Sequence, residues 1–305
     1  MECFDAAAFA ISPLEAALMD PQQRCLLESG YAALHAHGFR RANLASQPLG
    51  VHVGFEHVDW QLLQAIQNGH TALQKGSIYA ATGEQPHVSS GRLAFTLDLH
   101  GPCMTINTAC SSGLVAAHAS AGTLKTDPGC SGVLLAAAKL VLIAYAANAG
   151  FLAADGCSRT FDERADGYGR SEAVVAAVTD RQPQSSTFSL SLSGSSVQAN
   201  GRSASLTAPN GSALSRCMRI AREIAALDPS QLSGMQAQGL GSALADPIEM
   251  SAMLEGLPST RASPLVISCH KANLGHSEAP SGLAGLLTAQ PVSYTHLTLP
   301  TICSV

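Results

Sequence analysis

Charge is scarce in this sequence. Aspartate, glutamate, lysine and arginine together make up 13% of its 305 residues, the net charge is −5, and there is no basic run. A face of clustered lysine and arginine is thereby excluded, and nucleic acid as a partner with it. Long apolar runs are also lacking. The most apolar stretch, residues 132–154, is interrupted by Lys139 and by several glycines and alanines, so no membrane partner is expected. The first ten residues lack the basic-then-apolar layout of a secretory signal. None of the nine cysteines falls in a CxxC pair, which argues against a zinc site or disulfide framework and for a reduced compartment. The expectation is a cytoplasmic or organellar chain, a plastid included, and not a secreted one. What the chain has in quantity is alanine, glycine and serine, which let helices lie close to a sheet.

Strand and helix patterns alternate, which implies an α/β fold with buried sheets. Asp20-Pro21-Gln22-Gln23 reads as a helix start and Gly38 as its stop. LGVHVGF, CMTIN, GVLLAAA and EAVVAAV read as strands, and the small-residue segment after CMTIN as a helix. After a polar break at TDRQPQSS, TFSLSLSGSSV alternates like a strand and GSALSRCMRIAREIAAL reads as an amphipathic helix. Asp246-Pro247-Ile248-Glu249 repeats the helix-start device. PLVISCHKANLGH reads as a strand running into a loop, and SGLAGLLTAQ as a helix that Pro291 ends. The boundary expected near 180–186 divides residues 1–182 from 183–290. Residues 291–305 lack the upstream texture and read as a non-native tail.

Cys110 sits at the strand-to-helix junction of MTINTACSSGLVAAH. A thiol placed there faces the unsatisfied amides and positive dipole end of the following helix, and both favour the thiolate, the attacking species. The layout is the cysteine counterpart of a nucleophile elbow. Small neighbours at Ala109, Ser111, Ser112 and Gly113 leave room for an acyl chain. Spacing alone leaves an ordinary buried thiol equally open. His276, in SCHKANLGHSEAPSGLAG, is the candidate base, with Lys271 five residues before it; a loop histidine of this kind is also commonly structural. In QAQGLGSALADPIE, Gln238 opens a glycine-punctuated loop that has no titratable side chain before Asp246.

Six blocks in order resemble the β-ketoacyl synthase family, especially ketosynthase domains of polyketide and animal-type fatty acid synthases. They are FDAAAFAISPLEAALMDPQQRCLLE, GPCMTINTACSSGLVAAH, CSRTFDERADGYGRSEA, GSSVQANGRSASLTAPNGSA, GLGSALADPIE and KANLGHSEAPSGLAGLL. The resemblance implies a thiolase-type fold, two related α/β halves stacked as five layers, and a homodimer. It implies acyl transfer from the phosphopantetheine thioester of an acyl carrier protein, then decarboxylative Claisen condensation with a malonyl-type extender. No cofactor or metal is expected to be bound. Cys110 matches the acylated nucleophile, His276 the second family histidine, and Lys271 the lysine that orders the site.

The chain departs from that pattern at Gln238, where the family has its first active-site histidine. Asn107, beside the nucleophile, replaces a common aspartate. A glutamine donates hydrogen bonds but exchanges no proton near neutral pH, so the departure points toward a form that transfers acyl chains with weakened elongation. The chain also begins inside the family pattern and stops soon after the His276 block, as expected of an incomplete domain. The alternatives are a catalytically silent dimer partner and an inactive fragment.

Overall fold

The computed structural model describes residues 4–56, 59–67, 78–142, 150–181, 190–258 and 263–294. They form two compact units that interleave along the chain. The first comprises Met1–Ala144, Glu172–Pro183 and Ser277–Ser281; the second comprises Tyr145–Ser171, Gln184–His276 and Gly282–Val305.

The first unit runs α1 (Pro13–Leu18), α2 (Pro21–Ala36), α3 (Arg41–Leu44), β1 (Leu49–Phe55), α4 (Trp60–Gln67), α5 (Ile78–Glu84), α6 (Val88–Leu97), β2 (Cys103–Ile106), α7 (Ser112–Thr126), β3 (Gly132–Lys139) and β4 (Ala173–Asp180). α2 starts as its sequence requires. Asp20 caps it by accepting the Gln22 amide at 2.7 Å, Pro21 follows, and Gly38 takes a φ of 104° beyond its end.

The sheet order is β2-β1-β3-β4, with β1 parallel to both neighbours and β4 antiparallel to β3. β1 and β3 are buried along their whole length, which explains their near-continuous apolar runs. Their two faces differ. Val51, Val53 and Phe55 join Leu134, Ala136, Leu26, Leu27 and Leu93 in the main core. On alternate positions of β1, His52 meets Ser120 of α7 and Gly54 meets the first turn of α7. Small residues on that face, with Ala116 and Ser120 buried opposite, bring α7 against the sheet.

The second unit runs α8 (Gly211–Ile224), β5 (Gly234–Gln236), α9 (Ala245–Leu254), β6 (Val266–Ser268), α10 (Lys271–Leu274) and α11 (Ser281–Tyr294), the first residue of α11 belonging to the first unit. β5 and β6 pair in parallel, Gly234 beside Val266 and Gln236 beside Ser268. Met218, Ala237, Ala252 and Met253 form its core with Leu214, Met235 and Ile267 packed on them.

Several sequence expectations need correction. Residues 190–197 form no strand: Leu190, Leu192 and Val197 are exposed while Gly194 and Ser196 are buried, so the apolar positions cover nothing, and residues 187–189 of the expected strand lie outside the described residues. α11 continues past Pro291 to Tyr294; a proline removes one bond of the ladder, and here the last turn persists. The KANLGH segment opens with the single turn of α10, where a loop was expected. α9 begins at Ala245, one residue before Asp246, because Asp246 is engaged with the preceding loop. Residues 143–149 and 295–305 lie outside the described residues.

Candidate active site

In the first unit, β2 ends at Ile106 and α7 starts at Ser112, and the five residues between them make a tight elbow around half-buried Cys110. Ala109 takes a φ of 53°, the left-handed region that residues with a Cβ rarely occupy. Side chains hold the turn. Asn107 Oδ1 accepts the Ala109 amide at 3.1 Å while Asn107 Nδ2 donates to the Glu56 carbonyl at 3.0 Å. Ser112 Oγ accepts the Thr108 amide at 2.9 Å and donates to the Ala109 carbonyl at 2.6 Å. The replacement at Asn107 therefore has a physical role, since its amide both accepts and donates.

The base of α7 is held from two sides. A Cβ on Gly54 would stand 2.7 Å from Gly113 N and from Ser112 C, so only glycine lets β1 and α7 approach this closely. From the other side, the Gly113 amide donates to the Ala279 carbonyl at 3.0 Å, satisfying one of the first-turn amides that a helix leaves open. Ser281 Oγ donates to the Cys110 carbonyl at 3.4 Å.

The second unit holds Gln238, Lys271 and His276. Lys271 is buried, and its Nζ donates to Gln238 Oε1 at 3.0 Å. An ammonium has no acceptor, so this contact fixes the sense of the amide: the oxygen faces Lys271 and the NH2 remains as donor. The loop main chain is pinned separately. Glu249 accepts the amides of Gln238 and Gly239 at 2.6 and 2.8 Å. Asp246 accepts those of Phe161 and Gly241 through Oδ2 at 3.0 and 3.1 Å, and that of Ser242 through Oδ1 at 3.2 Å. Gly239 and Gly241 have φ of 46° and 78°, and a Cβ on Gly241 would lie 2.6 Å from the Gly167 carbonyl oxygen. The glycine punctuation of this stretch is thus backbone geometry. Burial pushes the Glu249 carboxyl up, opposed by its two amide bonds and by the charge of Lys271.

His276 is fully buried. Its amide donates to the Gly169 carbonyl at 2.7 Å, its own carbonyl accepts the Ser171 amide at 3.1 Å, and Tyr168 meets its ring edge-on at a centroid distance of 4.9 Å. Burial, then the charge of Lys271, then that of His270, push its pKa down to about 3. The ring is neutral at pH 7. A base with so low a pKa takes a proton poorly, so the chemistry that suits this imidazole is hydrogen bonding.

The spacing of Asp246 and Glu249 marked a helix start, but their grip on five loop amides was missed. The signal was available: carboxylates three apart on a first turn share one face, here the face next to a glycine loop. The contact of Tyr168 with His276 left no such trace. Among the described residues no group of His, Cys, Asp or Glu is arranged to hold a metal ion, and no helix is long and apolar enough to cross a membrane.

Comparison with known proteins bears on this arrangement. The family model described as beta-ketoacyl synthase, N-terminal domain, matches residues 1–185, and that for the C-terminal domain matches residues 190–303. The chain belongs to the β-ketoacyl synthase family. Family members similar to it include erythronolide synthase EryA3 of Saccharopolyspora erythraea, 37% identical over 94% of this chain and 9% of that protein. The highly reducing polyketide synthase fogA of Aspergillus ruber is 35% identical over 93% of this chain and 12% of that protein. Among solved structures, an oxazolomycin ketosynthase domain from Streptomyces albus superposes with a TM-score of 0.83 at 26% identity, over 96% of this chain and 51% of that one. The ketosynthase from module 6 of the bacillaene synthase of Bacillus subtilis gives 0.83 at 25% identity, over 99% and 56%. These ketosynthase neighbours establish the thiolase-type α/β fold class. The chain spans about half of those solved chains and about a tenth or less of the curated synthases.

Proposed function

We propose that this chain carries out ketosynthase chemistry on acyl thioesters, with Cys110 as the acylated residue. The observation that carries the reading is the elbow, a half-buried thiol after a left-handed Ala109 at the start of α7. The Cys110 thiolate attacks the thioester carbonyl of an acyl chain on carrier-protein phosphopantetheine. The C–S bond to the carrier breaks, the carrier thiol leaves, and the chain is held on Cys110. A malonyl-type extender then loses CO2, its carbanion attacks the acyl carbon, and Cys110 is released as the β-ketoacyl thioester forms. The backbone amide of Cys110 contributes to stabilising the oxyanion in both steps. Neutral His276 and the Gln238 NH2 supply hydrogen bonds to the developing enolate, and Lys271 orients Gln238. The partners in this reading are an acyl carrier protein and a second copy of the chain.

Gln238 sharpens the proposal. The Gln238 NH2 keeps the hydrogen-bond donor but exchanges no proton near neutral pH, and positioned proton transfer is worth about 10²–10⁴ in rate. Acyl transfer to Cys110 therefore outpaces extender decarboxylation. Intact-protein mass after incubation with an acyl carrier-protein thioester tests this, with Cys110→Ala and Gln238→His alongside. The expected results are an adduct that Cys110→Ala abolishes, and faster CO2 release from a malonyl thioester in Gln238→His. An adduct that persists without Cys110 refutes the nucleophile assignment. A folded Gln238→His with unchanged decarboxylation refutes the role of Gln238.

A further inference from the structure

We infer that Lys139 and Glu278 are positioning residues for the nucleophile elbow, an inference that rests on Cys110 being the acylated group. Lys139 closes β3, a central strand of the first unit's sheet, and is 1% exposed; Glu278 is 7% exposed. Lys139 Nζ lies 2.7 Å from Glu278 Oε2. Lysine and glutamate are rarely buried this deeply unless paired. Such pairs are frequently no more stabilising than apolar residues of the same size, so stability alone accounts poorly for this one.

The surroundings of Glu278 show what the pair holds. Its backbone is left-handed, with a φ of 52°, and its carbonyl accepts the Ser281 amide at 2.9 Å, closing a turn over residues 278–281. That turn delivers both contacts to the elbow from this side: the Ala279 carbonyl on the Gly113 amide and Ser281 Oγ on the Cys110 carbonyl. A continuous set of bonds therefore runs from the sheet, through Lys139 and Glu278, to the peptide groups at and beyond Cys110. All of it lies inside the first unit. Cys110, held here through its carbonyl, is the residue whose own amide the proposed function assigns to the oxyanion. In the sequence, Lys139 is no more than a break in an apolar run.

The decisive variant is Lys139→Met with Glu278→Leu, because replacing both partners leaves no stranded buried charge. Three quantities are read in the protein as it stands. They are the rate of acyl transfer to Cys110 from an acyl-pantetheine thioester, the rate of Cys110 alkylation by iodoacetamide, and amide hydrogen exchange at Gly113 and residues 278–281. Alkylation forms no oxyanion, so it reports the thiol alone. Acylation is expected to slow on the order of ten- to a hundredfold, the scale of ångström misplacement. Alkylation keeps its wild-type rate, and exchange at Gly113 accelerates. Should the double variant not fold, Glu278→Gln decides the matter by the same ratio, since it keeps an oxygen for Lys139 but not the charge. An unchanged ratio of acylation to alkylation in a folded variant overturns the inference. Absence of any Cys110 adduct in the wild type overturns instead the proposed function on which it rests.

Discussion

Replacing Gly54 by alanine is expected to drive the nucleophile helix away from the sheet. The added Cβ would lie 2.7 Å from Gly113 N and Ser112 C, and 2.9 Å from Gly113 Cα, where ordinary contact begins near 3.4 Å. The shortfall is 3.4 − 2.7 = 0.7 Å. These three nearest atoms are all backbone, so no rotamer change relieves the clash, and β1 or the start of α7 has to move. Overpacking of this kind costs about 1–3 kcal/mol, and in a chain of this size each kcal/mol lowers the melting temperature by about 2–4 °C. The effect on chemistry is larger. A displacement near 1 Å costs on the order of 10² in rate, so acylation of Cys110 should fall by some tens of fold. Gly122→Ala is the control in the same helix, because a Cβ there meets nothing within 4 Å. It should gain about 0.5–1 kcal/mol from helix propensity and acylate normally. Thermal melts and intact-mass time courses on the two variants give both readouts. A Gly54→Ala protein with wild-type melting and wild-type acylation would refute the close-packing argument.

Acid should destabilise the chain through its buried histidines. Burial lowers the pKa of His52, that of His270 to about 4 and that of His276 to about 3. The unfolded chain protonates these rings near pH 6.5, so stability present above that pH is lost as pH falls, each ring contributing up to about 1.4 kcal/mol per pH unit. Asp20, which burial pushes up to about 6, acts with the opposite sign below pH 6 and offsets part of this. Urea midpoints should still decline from pH 7 to 5, and a flat profile contradicts the assignment. Lys271→Met removes a charge that depresses both His270 and His276, so NMR titration should find both imidazoles shifted upward; no movement would show that burial acts alone. Asp246→Asn leaves one carbonyl oxygen for three loop amides. It should cost about 2–4 kcal/mol, the scale of losing charge-assisted bonds, and calorimetry within about 0.5 kcal/mol of wild type would rule that out.

Much of this arrangement was legible in the residues. The strand reading of LGVHVGF coincides with β1 because β1 is buried on both faces, which leaves a continuous apolar run. The elbow was legible because a strand, a turn of small residues and an alanine-rich helix follow in immediate succession. Residues 190–197 misled for the converse reason. Alternation reports a strand only when a partner covers one face, and the leucines there are exposed. Contacts between distant segments left little local trace. The pairing of Lys139 with Glu278 joins residues 139 positions apart, and nothing near either one announces the other.

The loop around residue 238 shows why an exchange of side chain there bears on chemistry more than on shape. Its main chain is held by Glu249 at residues 238 and 239 and by Asp246 at residues 241 and 242, all through backbone amides. None of those bonds uses the side chain of residue 238. That side chain makes its own contact with Lys271, through an oxygen that only an acceptor can provide. A histidine at this position can offer Lys271 an unprotonated ring nitrogen and keep the other as donor, so the same hydrogen-bond polarity is available to it. What histidine adds is the capacity to gain and lose a proton. A rate difference between Gln238 and Gln238→His in proteins of equal stability therefore measures the worth of that proton exchange, with the scaffold held constant.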